Sequence, residues 1–451
     1  MKTRLMLKLF LIIGFFGLVA VGAQGAYLTT LYSFDGTNGA NPRAGLIQGT
    51  NGNFYGLAYV GGTNNLGTIF EMTPAGILTN RWNFNRTDGA LPASPFILGQ
   101  DGNFYGEALG GTLGFGTVFK LTQDGTFSNL VSFVPPAGVS TSGPLLQGQD
   151  GNFYGVTEQA VTLGNSGTIY RMTPDGTVTN LYTFSGPDGF RPRGGLVQGT
   201  NGILYGTTSQ GGTNGGYGTI FKISTNGTFQ SMWSFNQTNG SNPGTAPLVF
   251  GPDGNLYGTT ITGGTNENYG TIFRITPSGT FTSLVSLDGN TMGASVNAGL
   301  LLGTNGNFYG ATYGGGGSIF EVTPNGTFTT LYVFDGSQGI GPLGTLVQGT
   351  DGNLYGTTQT GGAYDLGTVF RLSFTAPDAP VILSVSATNG TLDLTWSSVS
   401  GQNYQLQSNP DLTTTNWTDV NPPVTATDVT TSGTDTIGPE AQRFYRVELL
   451  P

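Results

Sequence analysis

Short apolar runs alternate with Gly-, Asn- and Asp-rich turns along this chain, and one arrangement of four such runs returns seven times. The first run is brief, as in Leu46-Ile47-Gln48, Leu145-Leu146-Gln147, Leu196-Val197-Gln198 and Leu346-Val347-Gln348. An Asp-Gly or Asn-Gly pair follows, a strong hairpin signal because both residues tolerate positive φ. The second run carries an aromatic or leucine and then Tyr-Gly, as in Asn53-Phe54-Tyr55-Gly56. A Gly/Asn-rich loop leads to a third run, GTIF or a close variant, starting at Gly67, Gly116, Gly167, Gly218, Gly270, Gly317 and Gly367. A second tight turn (TPAG, TQDG, TPDG, STNG, TPSG, TPNG) introduces a fourth run in six repeats, ending in an aromatic or Leu. Four hairpin-linked strands make one propeller blade.

The tyrosines of the second run (Tyr55, Tyr105, Tyr154, Tyr205, Tyr257, Tyr309, Tyr355) are 50, 49, 51, 52, 52 and 46 residues apart, a blade-sized period. The seventh repeat has no fourth run after Phe370. The segment 27–34, with Leu31-Tyr32-Ser33-Phe34, is a fourth run that lacks its first three. An N-terminal strand completing the last blade closes a ring and removes its exposed edges. The pattern therefore predicts an all-β fold: a seven-bladed β-propeller over 26–374, closed by its N-terminal strand.

These recurring DGNLYG, GTIF and TPDGT segments resemble the GloVer tandem repeat of secreted bacterial proteins, whose C-terminal sorting or anchoring regions vary. The resemblance covers essentially all of 27–374. It implies the fold and an exported location, and carries no reaction with it. The same turns are similar to those of the propeller lyases that open streptogramin antibiotics. That family's His base has no counterpart here, because the chain contains no His.

Past the repeats, 375–380 is a Pro-bounded linker. Residues 381–451 alternate in short runs around Trp396, among them Leu392-Asp393-Leu394-Thr395-Trp396, Tyr404-Gln405-Leu406-Gln407 and Arg443-Phe444-Tyr445-Arg446-Val447. This predicts a small fibronectin type III-like β-sandwich acting as a spacer or sorting module.

Composition sets the compartment. Arg4 and Lys8, the apolar run 9–20 and small residues near 21–25 read as a secretory signal over 1–25, cleaved near 23–25. That run is too short for an ordinary transmembrane helix, so no membrane span is expected. The formal charge of −10 becomes −13 without Lys2, Arg4 and Lys8, which argues against nucleic acid or an anionic membrane as partner. The chain has 0 Cys. Disulfides, thiolate metal sites and Cys nucleophiles are thereby excluded, and the missing His removes Ser-His-Asp triads and His-ligated metals. No metal and no cofactor are expected.

In a four-stranded blade, the first-to-second and third-to-fourth turns share one face and are uniformly tight here. The second-to-third and blade-to-blade connections share the other, are longer, and vary. A ligand is expected there. The candidates are Phe190, Arg191 and Arg193, with the loop aromatics Tyr217, Tyr269 and Tyr364, in a region that also holds Asn41-Pro42-Arg43. Aromatic rings with amide and guanidinium groups suit an extracellular glycan or cell-surface component. Glu107 and Glu158, which follow Tyr-Gly in the second and third repeats, are the only candidates for a carboxylate pair in a polysaccharide hydrolase or lyase. The turn acids Asp101, Asp124, Asp150, Asp175, Asp253 and Asp351 read as turn formers. The charge after GTxF (Glu71, Lys120, Arg171, Lys222, Arg274, Glu321, Arg371) recurs once per repeat and is expected to link blades. The GxGxxG at Gly339, Gly341 and Gly344 precedes a strand, not a helix, and is a chance match. Two readings follow: a secreted, non-catalytic binding module, or a His-free extracellular polysaccharide hydrolase or lyase.

Overall fold

The computed structural model describes residues 26–134, 139–141, 143–159, 166–374, 380–388, 390–398, 402–411, 416–427, 430–436 and 443–450. The signal segment 1–25 and residues 375–379 of the linker lie outside them. The fold is all-β and propeller-like. Among the described residues up to 373, seven antiparallel sheets share the same core of four strands. In the first sheet these are Ile47–Gln48, Phe54–Ala58, Thr68–Met72 and Leu78–Asn83, paired in chain order. The third and fifth sheets gain an extra short strand, Val139–Thr141 and Ser241–Pro243, against their second strand.

The seventh sheet combines Val347–Gln348, Leu354–Thr358 and Thr368–Ser373 with Tyr27–Ser33 from the start of the chain. Phe34 extends this join by donating its backbone N–H to Gly367 O at 3.0 Å. Side chains link the same sheet to the first one. Thr357 Oγ1 donates to Ala44 O at 3.1 Å, and Thr350 N donates to Gln48 Oε1 at 3.0 Å.

The core sits between neighbouring sheets. Tyr55, Leu57, Ile69 and Phe84 of the first pack against Phe96, Phe104, Phe119 and Leu121 of the second. Aromatic pairs carry the contact onward: Tyr55–Phe104 at 4.3 Å, Tyr105–Phe153 at 4.5 Å, Tyr257–Phe308 at 4.2 Å. The aromatic or Leu ending each fourth run (Phe34, Phe84, Phe133, Phe184, Phe235, Leu287, Phe334) is buried.

Two glycines show why the motif is so constant. A Cβ on Gly56 would lie 2.3 Å from the Phe70 ring and 2.7 Å from Leu46, so Tyr-Gly is a close-packing position inside a strand. Gly52 (φ +81°) closes the first hairpin. That hairpin departs from the two-residue turn expected above. Gly52 N donates to Gly49 O at 3.0 Å and only Gly52 takes positive φ, so Thr50-Asn51 are the turn centre and Gly52 follows in the left-handed region. The physical reason is the Asn51 side chain, whose Oδ1 accepts from Asn53 N at 3.1 Å and holds a three-residue loop with a bulge.

The chain separates into two compact units, 32–372 and a second comprising 373–451 with the stretch up to Leu31. In the second unit a three-stranded sheet holds Ile382–Thr388, Thr391–Ser397 and Thr430–Thr436. Another pairs Asn403–Asn409 with Thr418–Asp419, Val424–Thr425 and Phe444–Leu449. Trp396 is buried among Leu392, Leu394, Tyr404 and Leu406. Within this unit Gln402 Nε2 donates to Leu28 O at 3.1 Å and to Thr29 Oγ1 at 3.2 Å. The unit boundary thus cuts through the first strand.

Candidate functional site

In five repeats a Pro (Pro42, Pro92, Pro192, Pro243, Pro342) lies four or five residues before the apolar residue that opens the first run. Residues shortly before the first runs line a cavity of about 320 Å³ within the propeller-like unit, among them Arg43, Ala93, Arg193, Thr245, Asn297 and Leu343. These are blade-to-blade connections, so the cavity opens among the long, variable loops. Its volume is at the low end for small-ligand pockets, which span roughly 300–1,000 Å³.

Its charged groups are few. Arg193 faces Glu158 side-on, with Nε 2.9 Å from Oε1 and Nη2 donating to Oε2 at 3.1 Å. Glu158 is the last residue but one of the strand Phe153–Gln159, and both side chains are partly exposed in the cavity wall. Arg43 lies over Tyr59, its Cζ 3.7 Å from the ring centroid. With the Gln359 amide turned so that its oxygen faces Arg43, it accepts from Nη2 and Nε at 3.3 Å. Thr245 Oγ1 donates to Asn297 O at 3.2 Å. The cavity thus offers two guanidinium groups, one carboxylate, three hydroxyls (Ser94, Thr245, Thr345) and an amide on walls of Ala, Pro, Gly and Leu.

The two acids considered as a catalytic pair are not brought together. Glu107 lies two residues after Tyr105 and Glu158 four after Tyr154, so they occupy different positions in the repeat. Glu107 is only 2% exposed and does not line the cavity. Its Oε1 accepts from the Tyr170 hydroxyl of the next sheet, and Oε2 has no partner. Burial pushes its carboxyl up to about 8, against a smaller lowering by the Tyr170 bond, so the acid is largely neutral at pH 7. Tyr170 is the one tyrosine where the other six repeats have Phe in GTxF, and Glu107 is the one acid at its own repeat position. The two substitutions answer each other as a structural pair.

The remaining candidates are dispersed. Arg191 takes positive φ (+55°), donates its N–H to Ser166 O at 3.2 Å, and lies 5.7 Å from the Phe190 ring. Neither lines the cavity. Tyr217 and Tyr269 are half-buried against core clusters. Tyr364 alone stands out, at 62% exposure. Of the six residues expected to bind a ligand, only Arg193 reaches the cavity. Arg43 was foreseen only within its loop Asn41-Pro42-Arg43, and Thr245 and Asn297 were not foreseen. For Arg43 and Thr245 the signal that could have found them is a variable residue between a recurrent Pro and a recurrent Leu; the repeat of Asn297 has no such Pro.

The opposite face holds a different constellation. Asp101 Oδ2 accepts from Tyr105 OH at 2.8 Å, Asn103 Nδ2 at 2.8 Å and Lys120 Nζ at 2.9 Å. These bonds hold the Asp101 carboxyl far below the usual carboxylate range, outweighing its desolvation. Where the turn residue is Asn51 or Asn305, the charge inverts. Glu71 Oε1 accepts from Tyr55 OH at 2.9 Å and Asn53 Nδ2 at 2.6 Å, and Glu321 does the same for Tyr309 and Asn307. At Glu71, Lys120 and Glu321 the charge after GTxF thus secures its own sheet's hairpin, Glu71 and Lys120 standing opposite Tyr55 and Tyr105 on the neighbouring strand. At these three positions that contact takes the place of the role expected between blades. Lys222 is an exception, donating to Pro277 O at 3.4 Å.

Among the described residues no three His, Cys, Asp or Glu side chains gather as a metal site, and no helix is long and apolar enough to cross a membrane. No curated protein matches the chain. Several solved structures share its fold. One is described as the extracellular domain of a hybrid two-component system of B. thetaiotaomicron (12% identity, TM-score 0.52, 94% of this chain and 55% of that one). Another is PorZ, a bacterial surface component of the type-IX secretion system of Porphyromonas gingivalis (12%, TM-score 0.50, 93% and 60%). The chain spans little more than half the length of these two. Virginiamycin B lyase from Staphylococcus aureus is also similar, at 19% identity over 66% of this chain and 89% of that one, with a TM-score of 0.44. The Gloeobacter/Verrucomicrobia repeat matches residues 17–217 and again 198–404. Together these segments take in most of the chain, which belongs to the Gloeobacter/Verrucomicrobia repeat family.

Proposed function

We propose that this chain is an exported, non-catalytic binding module: a ring of seven blades closed by its first strand, followed by a fibronectin type III-like sandwich. Its ligand is a polar extracellular glycan or cell-surface component, taken up on the long-loop face. The observation that carries the reading is the cavity wall, where Arg193 and Glu158 present a fixed donor–acceptor edge beside Arg43, Thr245 and Asn297. Adjacent hydroxyls of a sugar match such an edge, because each can donate to the carboxylate and accept from the guanidinium. Hydrolysis by the usual carboxylate mechanism needs two such groups flanking one bond. The described cavity wall has only Glu158, and it is ion-paired.

Export fits the leader at 1–25 and the absence of Cys. Two of the fold neighbours are an extracellular domain and a bacterial surface component, the same setting. The test is a glycan screen of the full mature chain beside Glu158→Gln. Retention of one or more oligosaccharides by the native chain, weakened roughly tenfold in the variant, supports the reading. Retention that ignores Glu158→Gln moves the site elsewhere. Bond cleavage of a retained glycan by the native chain contradicts the non-catalytic assignment.

A further inference from the structure

We infer that the cavity selects an acidic saccharide, its Arg43 guanidinium binding the ligand's oxyanion, a carboxylate or a sulfate ester. This deepens the binding-module reading and rests on it. The argument begins with charge. The protein carries a formal −10, yet the ionisable cavity residues are Arg43, Arg193 and Glu158, which leaves one positive charge in excess. Glu158 is committed to Arg193 through both of its oxygens. Among the described residues no carboxylate forms an ion pair with Arg43, whose polar neighbour is the neutral Gln359 amide.

Arg43 is also held in place. Its Cζ lies over the Tyr59 ring at 3.7 Å, and the Gln359 amide oxygen, turned toward it, takes Nε and Nη2, so the guanidinium is braced on two sides before any ligand arrives. A planar, pre-oriented guanidinium suits the two oxygens of a carboxylate or sulfate, and stacking lowers the entropy lost on binding. A single cation within an acidic protein concentrates an anion locally against the field of the whole. Arg193–Glu158 and Asn297 then remain for the hydroxyls of the same sugar unit.

The test titrates the full mature chain with three oligosaccharides of equal length: a galacturonate oligomer, a neutral galactose oligomer and a sulfated galactose oligomer. Arg43→Gln is titrated beside it. The inference expects one or both acidic ligands to bind at least tenfold more tightly than the neutral one, with a preference that shrinks as salt rises. Arg43→Gln should abolish the preference, so that acidic and neutral oligomers bind the variant alike. Preference for the uronate or for the sulfate identifies the oxyanion. Equal binding of acidic and neutral oligomers, or a preference that survives Arg43→Gln, overturns the inference and leaves the binding-module reading standing. No binding of any oligomer at millimolar concentration removes both. Melting temperatures of the two proteins serve as the control for folding.

Discussion

The ring of Tyr355 packs on that of Phe54 with centroids 4.1 Å apart, joining the last sheet to the first by the Tyr-to-Phe contact that joins Tyr55 to Phe104. An array ending in two open edges has no use for this contact. Here the repeat interface is reproduced between its first and last members, and the strand Tyr27–Ser33 lies in the same last sheet.

Removing 27–33 should leave Thr368–Ser373 with an unpaired edge and uncover apolar surface worth several kcal/mol, on the order of two or three buried side chains. Tyr355→Ala should cost about 3 kcal/mol, as large aromatic truncations in packed cores do. Thermal melts with light scattering check both. A truncated protein that melts with the full chain and stays monodisperse would show that the N-terminal strand is dispensable.

Glu107 makes stability depend on pH in the direction opposite to an ordinary surface acid. Its folded carboxyl sits near 8 against a usual 4.5, so the folded state holds the proton longer than the unfolded state. The contribution is complete below about pH 4.5 and lost as pH rises through 8. Glu107→Gln should flatten this decline between pH 5 and 9. Tyr170→Phe alone should cost about 1–3 kcal/mol by stranding a buried polar group. Glu107→Val with Tyr170→Phe, which installs the residue found at Val156 beside a Phe, should recover most of it. Denaturant melts across that pH range decide the matter; an unchanged slope in Glu107→Gln would place the pH dependence elsewhere.

The turn-face pairs predict a compensating exchange. Lys120→Glu alone sets two acids against one another beside Tyr105, whereas Asp101→Asn with Lys120→Glu rebuilds the Asn51–Glu71 arrangement. Both side chains are partly exposed, so each effect should stay below about 1 kcal/mol. Lowering the pH should weaken the native pair, because its carboxyl is held below the usual range and its contribution disappears as that group is protonated. A double variant no more stable than Lys120→Glu would refute the exchange.

Much of this architecture was legible because turns repeat with their chemistry intact. The Tyr-Gly strand, the GTxF strand and the Gly-closed hairpins are each dictated by residues within about 20 positions of one another, and a single sequence displays them seven times. The site was harder to read for the opposite reason. Arg43, Arg193 and Glu158 come from different repeats and differ from their counterparts, so no local pattern announces them. Phe190 and Arg191 look like a loop cluster in the sequence, but the chain runs through them as the start of a strand, Phe190–Gln198, and only Arg193 is delivered to the cavity. Glu107 and Glu158 seem equivalent beside Tyr-Gly, but they stand two and four residues after the Tyr on the same side of the strand, so Glu107 is buried against Tyr170 while Glu158 lies near the strand end in the cavity wall.

Ala93→Trp tests the central claim most directly. Ala93 lines the cavity and is exposed, so an indole there fills the space without entering a core. Titration of the native chain and of Ala93→Trp with the oligosaccharide that binds best, beside their melting curves, is the measurement. The account predicts binding weakened at least tenfold at an unchanged melting temperature. Native affinity in Ala93→Trp would contradict it, because the ligand would then be held somewhere other than the cavity of Arg43, Glu158 and Arg193.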